Sequence, residues 1–210
     1  VSSLSTARKE TDIVHIASGV VNGKTTGTPI TFIIQNGDQH SRDYEKMKTI
    51  ARPGHADYTA FCKYHGFSDT RGGGHFSGRI TAGLVAAGAV AIQALKKHDI
   101  HIGTHIAKCA GVSDRGFDNM KDDIALLNAQ SFAVLDEKQG EHMKEAIAKA
   151  KAEGDSVGGI LETAVIGFPE GVGEPWFDTL ESMLSHALFS VPAVKGVEFG
   201  DGFALADMKG

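Results

Sequence analysis

The sequence predicts an α+β protein, because strand and helix patterns come in groups instead of alternating one by one. Alternating apolar and polar residues predict strands at 13–18 and 100–106. Three longer segments with helical spacing or composition predict helices at 80–95, 118–130 and 141–152. A doubly wound parallel sheet would need stricter strand–helix alternation, so it is not favoured.

The first strand is expected to form a hairpin with a second one at 31–35. Between them, Asn22-Gly23 tolerates the positive φ angles of a tight turn. A further long strand is predicted at 156–166 and a last one at 194–199. Charged residues at 39–49 are compatible with a short helix.

The helix at 80–95 is rich in Ala, Leu and Val and is predicted to be buried. Gly83 and Gly88 cost about 1 kcal/mol each relative to Ala in a helix, which predicts another element crossing closely there. Pro175 is predicted to open a further helix. Its apolar stripe, with Trp176 close to its start and Met183 within it, is expected to belong to the core.

Composition bounds the class of protein. The chain has 210 residues, 41% of them hydrophobic, and a formal net charge of −5, which does not favour nucleic acid or an anionic membrane as partner. No apolar run is expected to approach the roughly 20 residues that cross a bilayer. Cys62 and Cys109 lack metal-ligand spacing and are expected to be small buried groups in a reducing, cytoplasmic compartment. One domain over 1–210 is predicted.

Residues 52–79 carry the chemistry of this sequence. Arg52, His55 and Arg79 lie within 28 residues of an otherwise acidic chain, and residues 71–74 read Arg-Gly-Gly-Gly. Glycine backbone N–H groups and the helix expected to begin near residue 80 suit an anion, and arginine forks suit phosphate or carboxylate. The segment therefore predicts a site for a small polyanion. Two alternatives stay open here: the glycine run is only a turn, and His55 is only a structural donor.

The remaining histidines carry weaker signals. His15, His101 and His105 fall on predicted strands, and the last two would bind a metal only with a third ligand that is not evident nearby. No metal site is predicted. The spacing of the glycines matches neither the phosphate-binding loop (P-loop) of nucleoside triphosphatases nor the dinucleotide-binding fingerprint.

Several motifs together resemble the chorismate synthase family. Residues 52–59 read Arg-Pro-Gly-His-Ala-Asp-Tyr-Thr, and the Arg-Gly-Gly-Gly run follows. Further similar segments are Gly-Lys-Thr-Thr-Gly-Thr-Pro-Ile at 23–30, Gly-Asp-Ser-Val-Gly-Gly at 154–159 and Pro-Ala-Val-Lys-Gly-Val-Glu at 192–198. They occur in order along essentially the whole chain.

The resemblance implies a layered β-α sandwich that assembles as a homotetramer. It implies a lyase of the shikimate pathway, which leads to the aromatic amino acids. Such an enzyme eliminates phosphate from 5-enolpyruvylshikimate 3-phosphate to give chorismate. The reaction needs reduced FMN without net redox change, and NADPH is the reductant to consider for the flavin.

The resemblance also implies roles for single residues. His55 matches a histidine that acts as an acid toward the reduced flavin or the departing phosphate. Arg52, Ser77 and Arg79 match substrate-binding positions. His75, Phe76 and Ser77 occupy the segment that contacts FMN, where many members have Arg-Ser-Ser instead.

The sequence departs from the family pattern at both ends. It contains neither the Gly-Glu-Ser-His-Gly segment nor the Arg-His-Asp-Pro segment of the family. The expectation is an internal core portion that binds flavin and substrate poorly and does not turn over alone. Two other readings stay open: a non-catalytic core that self-associates, and an unrelated protein that binds a phosphate ligand.

Overall fold

The computed structural model describes residues 11–37, 50–67 and 75–210. In this part of the chain helices and antiparallel strands are mixed, so the predicted α+β class is confirmed. The chain divides into two compact units, one from Val1–Asp38 and Ala86–Phe168, the other from Gln39–Val85 and Pro169–Gly210. The single domain over 1–210 stays a prediction.

The first unit opens with two antiparallel strand pairs. Strand β1 (Val14–Ser18) pairs with β4 (Thr31–Ile34), with a register irregularity after Ile16. Both predicted strands of this hairpin are thereby confirmed. Residues 38–49, where a short helix was predicted, lie outside the described residues.

A smaller hairpin lies between these two strands. Strand β2 (Val20–Val21) pairs with β3 (Lys24–Thr25) across Asn22 and Gly23, whose φ angles are 49° and 73°. Positive φ at both central residues is what a type I′ turn requires, and Asn-Gly adopts it readily. The predicted turn is confirmed.

The main sheet of the first unit has three antiparallel strands in the order β6-β5-β7. Its centre is β5 (His101–Cys109), flanked by the short β6 (Val112–Ser113) and by β7 (Gly159–Ile166). The hydroxyl oxygens of Thr104 and Thr163 lie 2.9 Å apart across the β5–β7 pair. Both strands occur where the sequence predicted them, although β7 begins three residues later.

Helix α3 (Met120–Ala129) packs closely on the middle of this sheet. A Cβ placed on Gly103 of β5 would come within 2.8 Å of Ile124 Cγ1 and 3.0 Å of Ile124 Cα. Only a residue without a side chain permits this approach. Asn119 caps α3 by accepting from the Asp122 backbone N–H, so the predicted helix is confirmed.

Helix α4 (Glu137–Ala152) begins four residues before its predicted start. Asp136 caps it by accepting from the backbone N–H groups of Lys138 and Gln139. Gly140 lowers the helix propensity of the first turn. It lies against Val134, because a Cβ added to Gly140 would be 2.7 Å from Val134 Cγ2. Close tertiary contact therefore explains a glycine that propensity counts against the helix.

The core of the first unit is a small apolar cluster. Cys109, Val134 and Met143 are buried, and Met143 is 0% exposed. Partly buried side chains complete the cluster, namely Ile106, Val112, Phe132 and Ile147. The prediction that Cys109 is a small buried group is confirmed, and this burial raises the pKa of its thiol.

Helix α2 (Thr81–Lys96) is confirmed, but the prediction that it is buried is wrong within the described part of the chain. Only Ala86 on it is buried, and Leu84 and Val85 are exposed. Apart from the chain neighbours and the backbone of the helix itself, no described atom lies within 4 Å of a Cβ added to Gly83 or Gly88, so the close crossing predicted there is not found among the described residues.

With the 3-10 turn that precedes it, this helix forms one 19-residue stretch, Gly78–Lys96, with a mean hydropathy of 1.4. By length and composition alone it could cross a membrane, so the expectation of no such apolar run is wrong. The value comes from the many Ala, Val, Leu and Ile residues between Arg79 and Lys96.

In the second unit the helix predicted to open at Pro175 begins later. A 3-10 turn, Trp176–Asp178, follows the proline, and α5 (Leu180–Phe189) starts after Thr179, whose hydroxyl accepts from the Ser182 N–H. Extended ψ at Thr179 separates the two elements, since this residue serves as the N-cap.

The assignment of that apolar stripe to a core is also wrong within the described structure. Trp176 is 83% exposed, Phe177 is 86% exposed and Met183 is more than half exposed. The strand predicted at 194–199 is likewise not formed: the segment has no regular structure and is followed by a 3-10 turn, Gly202–Asp207. Strand propensity without a pairing partner does not make a strand.

Candidate active site

The loop that begins the candidate site is fastened by a bidentate ion pair. Arg52 donates Nε–H to Asp57 Oδ2 at 2.8 Å and Nη2–H to Asp57 Oδ1 at 2.9 Å. Its backbone N–H also donates to Asp57 Oδ2 at 2.9 Å. These hydrogen bonds lower the pKa of Asp57 from 3.8 to about 2, because each of them favours the charged carboxylate.

Asp57 also opens a short helix that sequence periodicity did not reveal. Helix α1 (Asp57–Lys63) has the acidic Asp57 in its first turn and the basic Lys63 in its last. Charges of these signs at these ends are favourable to the helix dipole. The segment read as one long loop therefore contains a two-turn helix, too short for a clear apolar period.

His55 lies on the turn between Arg52 and this helix, and it is exposed. Its Nδ1 lies 3.1 Å from the carbonyl oxygen of Pro53, and its backbone N–H donates to the carbonyl of Arg52 at 3.3 Å. A carbonyl only accepts, so Nδ1 carries the hydrogen and Nε2 is the nitrogen left for a ligand. Gly54, at φ 71°, supplies the left-handed backbone that this turn needs.

The second candidate segment leads into α2. Ser77 precedes the 3-10 turn Gly78–Ile80, and its hydroxyl accepts from the Arg79 backbone N–H at 3.2 Å. The Thr81 hydroxyl donates to the carbonyl of Gly78 at 2.6 Å. Ser77 and Arg79 are half-buried and adjoin the amino end of a long helix, where backbone N–H groups favour an anion.

His75 and Phe76 lie just before this turn and are both exposed. An aromatic ring, an imidazole and the neighbouring Ser77 hydroxyl present stacking and hydrogen-bonding groups on one short stretch. This donor set fits a flat heteroaromatic ring that carries a phosphate, such as FMN.

The structure keeps both candidate segments in the second unit. The hydrogen bonds named above are all local, so the meeting of His55 and Arg52 with Ser77 and Arg79 around one ligand stays a prediction. Arg8 and the Arg-Gly-Gly-Gly run at 71–74 lie outside the described residues.

Cys62 on α1 corrects one expectation. It was predicted to be buried, but it is exposed. The helix is short and turns this side chain toward solvent, where it lies close to Tyr58 one turn earlier. A hydrogen bond with the Cys62 side chain raises the pKa of the Tyr58 hydroxyl.

The best-formed polar cluster lies elsewhere, in the first unit, and sequence reasoning missed it. His105 is 1% exposed, its Nδ1 is 2.8 Å from Asp114 Oδ2, and its Nε2 is 2.8 Å from Glu162 Oε2. Glu162 is its cross-strand partner on β7, 57 positions away. No local spacing could signal such a set, because the sheet register alone brings its members together.

An open cleft of about 480 Å³ lies beside the start of α5. Residues 171–175 and 179–181 line it. Its charged side chains are Glu174 and Glu181, so it does not suit a polyanion. Among the described residues, no group of three or more histidine, cysteine, aspartate or glutamate side chains is arranged to hold a metal ion.

The fold is therefore that of an α+β protein in which the Arg52–His55 turn and the Ser77–Arg79 turn are the candidate ligand contacts. The family model for chorismate synthase matches residues 1–210. The chain belongs to the chorismate synthase family.

Relatives and a solved structure agree with this assignment. The chain is 46% identical to the chorismate synthase of Korarchaeum cryptofilum, covering 100% of this chain and 58% of that protein. It is 47% identical to that of Chitinophaga pinensis, covering 98% and 53%. A crystal structure of chorismate synthase superposes with a TM-score of 0.69 at 27% identity, covering 94% of this chain and 56% of that one. The chain thus spans a little over half the length of these relatives.

Proposed function

We propose that the protein acts as a chorismate synthase. It is a lyase that eliminates phosphate from 5-enolpyruvylshikimate 3-phosphate to give chorismate, in the shikimate pathway toward the aromatic amino acids. The observation that carries the proposal is the family match over residues 1–210, which includes the Arg-Pro-Gly-His turn. The reaction class is that of the family, and the residue roles proposed below follow the family positions that these residues match.

His55 is the proposed acid. Its side chain is exposed, and the Pro53 carbonyl fixes the ring through Nδ1. Because this contact fixes the orientation of the ring, it also fixes the position of the opposite nitrogen, Nε2. This nitrogen can hold a proton or release it to a ligand. A ring without this contact would lose more conformational entropy when it adopts the same orientation.

The phosphate and carboxylates of the substrate are proposed to bind Arg79, Ser77 and Arg52. Ser77 and Arg79 adjoin the amino end of α2, where the helix dipole adds to the guanidinium charge. Arg52 already shares two guanidinium nitrogens with Asp57, so its first role is to hold the His55 turn in place. Its positive charge is also proposed to attract the anion. Arg8 is proposed as a further contact from the amino-terminal segment.

Reduced FMN is the proposed cofactor, held by His75, Phe76 and Ser77. When bound, it supplies an electron-rich ring beside the substrate without net oxidation or reduction. Phe76 offers an exposed face for stacking, and the Ser77 hydroxyl and His75 ring offer hydrogen bonds. NADPH is the proposed source of electrons that keeps the flavin reduced.

The test is chorismate formation from the substrate with reduced FMN under anaerobic conditions, measured in the full-length protein. His55→Asn keeps an N–H that can donate to the Pro53 carbonyl but removes Nε2. We expect it to lower kcat by about 100-fold or more, the usual contribution of a positioned acid. His142→Asn, an exposed position on α4, is the matched control and should leave kcat unchanged. Unchanged turnover in His55→Asn would remove the acid role.

The same preparation separates the competing functions. A protein that binds inorganic phosphate but never forms chorismate with reduced FMN would be a phosphate-binding module instead. Turnover by the 210-residue chain alone would contradict the expectation that this portion is inactive by itself.

A homotetramer is proposed for the assembled protein. Large apolar side chains stand exposed in the second unit, and Trp176, Phe177 and Phe203 each exceed 80% exposure. Exposed apolar patches often mark association surfaces, so these side chains support the proposal. Light scattering of the purified protein tests this: a mass four times that of the protomer supports the tetramer, and a monomeric mass refutes it.

A cytoplasmic location without nucleic acid or membrane partners is also proposed. The support is the net charge of −5, which disfavours polyanionic surfaces. Fractionation of cells that express the whole protein tests the location directly, because a membrane-bound fraction would contradict it.

A further inference from the structure

The cluster around His105 is built from three parts of the first unit. His105 lies in the middle of β5, Glu162 lies opposite it on β7, and Asp114 follows β6. The side chains of His105 and Asp114 are 0% exposed, while that of Glu162 is 51% exposed. The Phe117 ring meets the imidazole edge-on, with centroids 5.0 Å apart at 80°. The imidazole is therefore enclosed, and only the glutamate end reaches water.

The surroundings of Asp114 stabilise its ionised carboxylate. Its Oδ2 accepts from the Leu135 N–H at 2.6 Å, and its Oδ1 accepts from the N–H groups of Asp136 and Arg115, each at 2.9 Å. Burial by itself would raise the pKa of Asp114. These backbone donors and the His105 ring outweigh burial and lower the pKa below its usual value.

The two 2.8 Å contacts of the ring constrain its protons. An ionised carboxylate only accepts hydrogen bonds, and a neutral imidazole has one N–H and one lone pair. With a neutral ring, one carboxylate oxygen would face a nitrogen lone pair at hydrogen-bonding distance. Only a ring with N–H groups on both nitrogens donates to Asp114 and Glu162 together.

From this geometry we infer that His105 is a doubly protonated imidazolium that ties Asp114 to Glu162 and so locks β5 to β7 and to the loop after β6. A ring with a single N–H would not hold both carboxylates, since one of the two anions would then lack a donor.

The other charged groups around the ring favour the same state. From α3, the carboxylate of Asp123 is buried and bonded to Arg115 at 2.6 Å and 3.1 Å. Asp136 turns its own carboxylate to the first turn of α4 as a cap. The anions that face the ring thus come from the loop, β7 and α3, and Arg115 is the cation beside them.

The first experiment needs no variant. Nitrogen-15 NMR of the histidine rings in the purified protein at pH 6 reports which ring nitrogens carry hydrogen. We expect both nitrogens of His105 to show the shifts of an N–H, with slow exchange of the buried Nδ1–H. A neutral tautomer at this pH, with the proton placed on Glu162 instead, overturns the proposal.

The second experiment measures urea unfolding at pH 6 for His105→Gln and for His101→Gln. His101 lies on the same strand but is only half-buried, which makes it the matched control. We expect His105→Gln to raise the unfolding equilibrium constant by at least about tenfold, or about 1.4 kcal/mol. His101→Gln should change this constant little. Equal effects of the two substitutions contradict the lock.

Glu162→Gln serves where His105→Gln does not fold, because Glu162 is half exposed and tolerates an amide. The amide oxygen still accepts one hydrogen bond but carries no charge. A loss of stability at pH 6 supports the lock, and an unchanged stability overturns it. Turnover is not the readout, so failure of the proposed activity leaves this test intact.

Discussion

Arg52 holds Asp57 with both a side-chain fork and a backbone N–H, which closes the turn 52–57 around His55. The side chains of the two residues are 31% and 25% exposed, so the pair is only partly screened by water. This arrangement makes the position of the His55 ring depend on an ion pair that does not itself include the histidine.

Asp57→Asn tests that dependence. The amide can accept one N–H but cannot receive the fork as an anion, so we expect the free energy of unfolding to fall by about 1–2 kcal/mol. Asp118→Asn is the matched control, since the Asp118 side chain is exposed, and its effect should stay within about 0.5 kcal/mol. Urea unfolding measures the free energy of unfolding of both variants. Equal effects would mean that the bidentate ion pair between Arg52 and Asp57 does not contribute to stability.

Acid stability should follow the same carboxylates. The pKa of Asp57 is about 2 in the fold against 3.8 for the free side chain, and that of Asp123 is also about 2 because of Arg115 and the Asp118 N–H. A depressed folded pKa contributes stability above the unfolded pKa. That contribution should therefore be complete above pH 4 and be lost between about pH 4 and pH 2.

Urea unfolding at steps between pH 6 and pH 2.5 measures this loss. Asp57→Asn should show a shallower decline than the wild type over the same interval, because it has one fewer carboxylate to protonate. Parallel curves for the two proteins would contradict the assignment of this pH dependence to Asp57.

Gly103→Ala should destabilise the contact between β5 and α3. The added methyl group would lie 2.8 Å from Ile124 Cγ1 and 3.0 Å from Ile124 Cα, and the latter is backbone. Overpacking of this kind costs about 1–3 kcal/mol. Gly158→Ala, with no described atom within 4 Å of its new methyl, should change stability little, and thermal unfolding of both compares them.

Gly88→Ala is predicted to act in the opposite direction. Gly88 lies inside α2 with open space around an added Cβ among the described residues. Alanine then stabilises the helix by about 0.5–1 kcal/mol. Circular dichroism melting measures it, and a loss of stability would indicate that another part of the full-length protein crosses α2 there.

The sequence anticipated much of the secondary structure. The Asn22-Gly23 turn and strands β1, β4, β5 and β7 were predicted because their signals are local, either alternation or a dipeptide with special φ preferences. The start of α4 was missed because Gly140 lowers helix propensity and its reason, Val134, is a tertiary neighbour. The prediction of a strand at 194–199 was wrong, since no strand among the described residues pairs with this segment.

By itself the sequence determined the family, the α+β class and the Arg-Pro-Gly-His turn, because these depend on residues that are close together along the chain. The tertiary structure alone decided that Arg52 grips Asp57 and that His105 lies between Asp114 and Glu162. The physical reason is that hydrogen-bond partners across a sheet are set by strand register, and register is a property of the folded chain.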